Sequence, residues 1–357
     1  MIKKKILIFG AGAIGRGFLG NILSNHELSF VDKDKNLINF LKKNKEYLSI
    51  TIKKKNYNYK KIKIKDAFHL SENLNIKKYD IIFSCVGTNQ CFEIAHLLQH
   101  AKKIISCEND PNTVSIIKKI SKNKNVYFAI PDVITSNTAP KKILAKNPWT
   151  VISEDGILVV KNNKINLPSP IKKLSKKNFE MHWICKLFIH NAPHAITAYL
   201  GAYKKYQYIH EAMADKKIFN VIKGSIKEIT EAVINTGLAS KKFATNYKNK
   251  ELLRFSNKLL FDPISRVARE PIRKLSPDNR IILALRLSIF NKKIPYFTAL
   301  GVKAALNYVD INDKESNHLQ NLMKTYSEGE LLEKISEINL GDPLNKFCVQ
   351  TNIRDYI

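Results

Sequence analysis

Apolar positions divide this chain into two stretches of different period. Up to about residue 170, short continuous apolar runs alternate with segments of helical spacing. The runs Ile6–Phe9, Leu28–Val31, Ile81–Val86, Lys103–Cys107 and Val126–Ile130 predict strands. Strand and helix in alternation predict a parallel sheet covered on both faces, a doubly wound α/β domain. Thr150 to Ile165 predicts a hairpin-like pair about Asp155-Gly156, and Asn166 to Lys177, with two prolines and several lysines, predicts a linker. Beyond Phe179 the period becomes helical. The segments His182–Tyr199, Ile209–Asn235, Asn279–Phe290, Lys292–Asn307 and Glu328–Ile338 predict helices, with Ser276-Pro277 as a helix start. The pattern therefore predicts two domains, residues 1–175 and a mostly α-helical 176–357.

The first strand runs into Gly10-Ala11-Gly12-Ala13-Ile14-Gly15, a G-x-G-x-x-G, and a helical run, Arg16 to Leu23, follows. A second strand ends at Asp32, 22 residues after Gly10. The three glycines allow a tight turn, close approach of a pyrophosphate, and close packing of helix on strand. The helix start offers N–H groups to phosphates. A carboxylate at the position of Asp32 suits the adenosine ribose. The N-terminal domain thus reads as a Rossmann domain. Phe9, Gly10, Ala11, Gly12, Ala13, Ile14, Gly15, Arg16, Gly17 and Asp32 are the cofactor candidates. Asp32 favours NAD over NADP, because a carboxylate repels a 2′-phosphate, and Lys33 beside it weakens that preference slightly.

The net charge of +29 raises the question of nucleic acid. Arginine supplies only 8 of the 60 basic residues. The lysines are scattered in pairs and triples along the whole chain, with no cationic stripe and no interleaved aromatics. That excludes nothing about attraction of small anions, but it argues against base readout. No apolar run approaches the ~20 residues that cross a bilayer, and the N-terminus does not read as a signal peptide. Five cysteines without a C-x-x-C fit reduced thiols in a cytoplasmic protein.

The densest chemistry lies in Lys186-Leu187-Phe188-Ile189-His190-Asn191-Ala192-Pro193-His194, which spaces K-x4-N-x2-H. On a regular helix, Lys186, Asn191 and His194 fall within an arc of roughly 140°. A proton acceptor, an amide donor and an imidazole on one face suit oxidation of an alcohol without a metal. A catalytic lysine needs a pKa lowered from ~10.4 toward ~7–8, which burial among Ile184, Leu187, Phe188 and Ile189 would favour. His190 and His194 stand four apart, but no glutamate follows the first and no third ligand is evident, so no metal is expected. The helix begins just after the domain join, which suits a cleft there. Five of the eight arginines lie between 254 and 280. Arg273, Lys274 and Arg280 bracket a helix start, a way to hold a phosphate, with a surface loop of capping ion pairs as the alternative.

These motifs together resemble the polyol-specific long-chain dehydrogenase/reductase family. The resemblance covers nearly the full length and is strongest in Phe9–Gly20, Ser106–Asn109, Lys186–Leu200, and Val267–Leu275 with Arg280. It implies an oxidoreductase that uses NAD without metal, often as a monomer, on small polyols. The members most similar to it interconvert D-mannitol 1-phosphate and D-fructose 6-phosphate. By the resemblance the catalytic lysine is Lys186, the oxyanion-binding asparagines are Asn191 and Asn109, and the histidine is His194. An acid of the substrate site falls on Asp132, followed here by Val133 where the family has arginine, and Pro193 replaces a small residue.

Overall fold

The computed structural model describes residues 2–145, 147–162 and 165–357. It contains two compact units, Met1–Phe179 and Glu180–Ile357.

Among the described residues the first unit holds twelve strands: β1 Lys5–Phe9, β2 Glu27–Asp32, β3 Glu46–Lys53, β4 Asn56–Lys63, β5 Asp66–His69, β6 Ile81–Ser84, β7 Ile104–Ser106, β8 Val126–Asp132, β9 Thr135–Ser136, β10 Val151–Glu154, β11 Ile157–Lys161 and β12 Lys172–Leu174. Eight form a sheet in the order β12-β11-β8-β7-β6-β1-β2-β5. From β5 to β8 all neighbours are parallel, and only β11 against β8 is antiparallel. The strand Ile6–Phe9 is central, and its four side chains are fully buried. Ile6 and Ile8 enter one core cluster while Leu7 and Phe9 enter another, so a run with no polar residue is what two covered faces require. The Rossmann reading is therefore correct. The chain leaves β1 toward β2 and β5, then returns toward β6, β7 and β8. The carboxyl ends of β1 and β6 thus flank the switch point where such sheets bind ligands.

Two expectations change in this unit, and one pairing is new. The hairpin about Asp155-Gly156 does not exist as a pair. β10 joins β3 in a second sheet, order β4-β3-β10-β9, while β11 joins β8 in the large one. The chain changes sheets there because Gly156 lies against Val133 and the backbone of Asp132, where a Cβ would meet Val133 at 2.5 Å. The expected linker contains strand β12, and a helix already begins at Lys176. The pair β3–β4 was not anticipated. Its turn is Lys54-Lys55, both at positive φ (48° and 64°), a conformation that normally announces itself with Asn-Gly.

The second unit is helical, as expected. The segment Ile209–Asn235 is two helices, Ile209–Ala214 and Lys216–Asn235, because Asp215 is extended and its carboxylate caps Lys217 and Ile218. Lys241–Phe255, Lys314–Leu322 and Pro343–Gln350 are further helices. The next helix after the arginine cluster starts at Arg280 with Asn279 as its cap, so Ser276 does not cap it. Among the described residues no helix is long and apolar enough to cross a membrane.

Candidate active site

In the N-terminal unit a cleft of about 180 Å³ opens beyond β1, β2 and β6, lined by Phe9, Gly10, Gly12, Asp32 and Lys33 on one side and Cys85 and Val86 on the other. Gly10 has φ +88°, and a Cβ there would lie 2.4 Å from the Cys85 carbonyl. A Cβ on Gly15 would lie 1.9 Å from the Gly10 carbonyl. Both glycines are demanded by backbone packing. Gly12 is different: a Cβ there meets no protein atom within 4 Å. Its lack of a side chain leaves room for approach from outside, as a pyrophosphate would require. Ala13 and Ile14 open a π-helical turn, Ala13–Leu19, which contains Gly15, Arg16 and Gly17. Arg16 is buried. It is turned inward, donating to the Ala11 and Trp149 carbonyls, and its own carbonyl accepts from the Tyr47 hydroxyl at 2.7 Å. Asp32 accepts from the Ala11 N–H at 2.7 Å and from the Asp34 N–H at 3.0 Å. Its carboxylate both lines the cleft and holds the glycine turn.

Asn109 is exposed, three residues past the end of β7, and Asp132 is buried at the end of β8. Next to Asn109 stands Glu108, to which the sequence reading gave no role of its own. Its carboxylate accepts from Ser84 Oγ and the Val86 N–H at 2.9 Å and from the Gly87 N–H at 3.0 Å, which shapes the far wall of the cleft. Burial pushes its pKa up although these donors oppose the shift.

In the C-terminal unit Lys186, Asn191 and His194 are all buried, and the helix carrying them is not a regular α-helix. Cys185–Asn191 is a π-helix, and Ala192–Tyr203 continues as α-helix. A π-turn bonds residue i to i+5, so Lys186 and Asn191 stand one turn apart on one face rather than ~140° apart. The K-x4-N spacing is a π spacing. Pro193 is tolerated in the first turn of the α-helical part. The Asn191 Nδ2 is buried with no hydrogen-bond partner among the described residues. A buried amide donor left unsatisfied costs about 1–3 kcal/mol, which makes this one a candidate donor to a ligand.

Two carboxylates that the sequence reading missed stand behind the histidines. Glu251, fully buried, accepts from His190 Nδ1 at 2.5 Å and from Arg254 at 2.6 Å. Asp262 bonds His194 Nε2 at 2.9 Å and is paired with Arg266. Phe255 stacks on the His194 ring, centroids 4.9 Å apart and planes 8° apart. Nothing local in the sequence signals these pairs, because 61 and 68 residues separate the partners. Among the described residues no group of three or more His, Cys, Asp or Glu side chains is arranged to hold a metal.

The arginine cluster is unequal in its parts. Arg273 pairs with Glu270 at 2.5 Å. Lys274 is buried with its ammonium on the Arg269 carbonyl, and burial with the neighbouring Arg280 and Arg273 pushes its pKa well down. Arg280 donates from Nε to Asn279 at 3.0 Å and has no ion-pair partner among the described residues. Burial and then Arg273 pull its pKa from 12.5 to about 10, so it stays charged at neutral pH.

A larger cleft, about 360 Å³, lies in the N-terminal unit among Asn21, Thr51, Lys53, Lys60, Ser153 and Lys172. The Asn21 amide donates to Thr51 and Ser153 to the Gly17 carbonyl, and among the described residues this cleft holds no comparable unsatisfied donor.

Comparison with known proteins agrees with this geometry. The mannitol dehydrogenase Rossmann domain matches residues 4–153, and the mannitol dehydrogenase C-terminal domain matches residues 178–339. The chain is 32% identical to the mannitol-1-phosphate 5-dehydrogenase of Clostridium acetobutylicum, over 96% of each chain. It is 31% identical to that of Buchnera aphidicola subsp. Schizaphis graminum, over 94% of each. The fold is that of Pseudomonas fluorescens mannitol 2-dehydrogenase, solved with NAD and D-mannitol, with a TM-score of 0.77 over 99% of this chain and 91% of that one at 16% identity. The chain belongs to the mannitol dehydrogenase family and is an oxidoreductase.

Proposed function

We propose that this oxidoreductase is NAD-dependent and interconverts D-mannitol 1-phosphate and D-fructose 6-phosphate, with Lys186 as proton acceptor and no metal. The observation that carries the reaction chemistry is the unsatisfied, buried Asn191 amide one π-turn from Lys186. The names of the relatives support the substrate pair. The glycine turn, the Gly12 approach and the Asp32 carboxylate suit the dinucleotide, which supplies a two-electron hydride acceptor when bound. The chain's own residues handle the proton and the oxygen. Lys186 takes the hydroxyl proton as the carbon gives up hydride, and returns it in ketose reduction. Asn191 donates a hydrogen bond to the oxygen as it becomes a carbonyl. Asn109 keeps the oxygen-holding role that the resemblance assigns it. The direct test is NADH oxidation with fructose 6-phosphate beside fructose. Turnover of fructose alone would instead favour an unphosphorylated polyol or hexuronate substrate.

Two predictions concern the cofactor. NADH gives a higher kcat/KM than NADPH, because Asp32 opposes a 2′-phosphate. A higher value with NADPH refutes this. Gly12→Ala folds with a Tm close to the parent's, since its Cβ clashes with nothing, yet binds NADH more weakly. Gly15→Ala, whose Cβ runs into the Gly10 carbonyl, lowers Tm itself. Thermal unfolding and NADH titration of both variants separate the two roles. Equal NADH affinity for Gly12→Ala and the parent would remove the pyrophosphate from that turn.

A further inference from the structure

Asp262 lies 68 residues from His194 in sequence and meets it in the buried interior. Its two oxygens are divided between two partners. Oδ1 accepts from Arg266 Nε at 3.1 Å and from the same guanidinium's Nη2. Oδ2 faces His194 Nε2 at 2.9 Å. Although Asp262 is buried, its pKa is lowered, because Arg266 and then His194 outweigh the desolvation. An ionised carboxylate has only acceptors, so the hydrogen of this bond sits on Nε2. Phe255 lies flat on the ring and the His190 ring is 5.2 Å away, which confines the imidazole plane.

We propose that Asp262 is a positioning residue that locks His194 in the Nε2–H tautomer, so that Nδ1 presents a lone pair to a hydroxyl of the polyol substrate. The inference rests on the proposed dehydrogenase reading for what Nδ1 contacts, but not for the tautomer itself. A neutral imidazole can donate from one nitrogen and accept at the other. With the donor nitrogen committed to Asp262, His194 accepts a hydrogen bond from the substrate and so fixes the direction of that hydroxyl's single O–H, leaving its lone pairs to accept. Lys186 and Asn191 by contrast act on the reacting oxygen. Arg266 sets the direction of the device. It holds one Asp262 oxygen and leaves the other for the histidine.

That division gives a decisive variant. In Asp262→Asn the guanidinium keeps the amide oxygen, since it has only donors, and the amide NH2 then faces His194 Nε2. Two donors cannot face each other, so the ring proton moves to Nδ1. The protein is labelled with 15N-histidine, and the His194 signals are assigned by their loss in His194→Asn. The intact protein is expected to show a protonated, pyrrole-type Nε2 and a pyridine-type Nδ1 at the pH of activity. Asp262→Asn is expected to show the reverse, with a fall in kcat of roughly 10–100-fold, the scale of one lost hydrogen bond in the transition state. NADH affinity should be unchanged, and Asp262→Glu should recover part of kcat with the native tautomer. A pyridine-type Nε2 in the intact protein, two protonated nitrogens there, or an unaltered tautomer in Asp262→Asn would each overturn the proposal. A reversed tautomer with undiminished kcat would overturn the substrate contact at Nδ1. Should the chain act on no polyol at all, the nitrogen spectra still decide the tautomer.

Discussion

Lys186→Ala is expected to lower kcat by ~10²–10⁴-fold, the usual contribution of a positioned general acid or base. The lysine is buried in the π-helical turn Cys185–Asn191, between the fully buried Cys185 and Ile189. One turn further along the same face stands the Asn191 amide. Removing the amine leaves the proposed oxygen-binding amide in place. The hydroxyl proton then has no acceptor at the right position, so kcat falls while KM for the ketose changes less. NADH affinity should survive, because the glycine turn and Asp32 lie in the other compact unit. Truncating a buried side chain also leaves a cavity, so Tm is measured beside the kinetics. Added small primary amines should restore part of the rate in Lys186→Ala and none in the intact enzyme. A variant with near-native kcat would show that another group takes the proton.

The sheet of the first unit was legible because its central strands are buried on both faces. A strand such as Ile6–Phe9 can hold no polar residue, and the glycine turn that follows has its own steric signature. The second sheet was not legible, because β4 is mostly exposed and its lysines and tyrosines carry little periodic signal. The Lys54-Lys55 turn has the geometry of a hairpin without the residues that usually reveal one. At the candidate site, sequence spacing singled out Lys186, Asn191 and His194 as a set, since they lie on one continuous helical run. The regular-helix arc does not hold for Lys186 and Asn191, because a π-turn looks like an α-helix in residue pattern but has a wider turn with i to i+5 hydrogen bonds. Glu251 and Asp262 were invisible for a different reason. Their partners come from tertiary packing, and a lone acid in a helix or loop reads as solvated.

The same packing changes what should be expected of the cationic cluster. Sequence placed Arg273, Lys274 and Arg280 together as a phosphate site without ranking them. The Arg273 side chain already has a carboxylate in Glu270. The Lys274 ammonium is spent on the Arg269 carbonyl. Among the described residues, Arg280 alone of the three has neither a carboxylate nor a backbone carbonyl on its guanidinium, whose Nε donates to the Asn279 amide oxygen. Tyr199 lies in its field, with a buried hydroxyl that has no hydrogen-bond partner among the described residues. Arg280→Ala is therefore expected to reduce kcat/KM for fructose 6-phosphate by roughly 10–150-fold, since a charge-assisted hydrogen bond contributes ~1.5–3 kcal/mol and each 1.4 kcal/mol is tenfold. The loss for unphosphorylated fructose should be much smaller, because that substrate never made the contact. Arg273→Ala should show a weaker version of the same selectivity, its guanidinium being shared with Glu270. Lys274→Ala should act on the fold, lowering Tm and both substrates alike. Equal losses on both substrates for Arg280→Ala would make Arg280 a support for the helix it opens. No loss for any of the three would place the phosphate elsewhere on this lysine-rich chain.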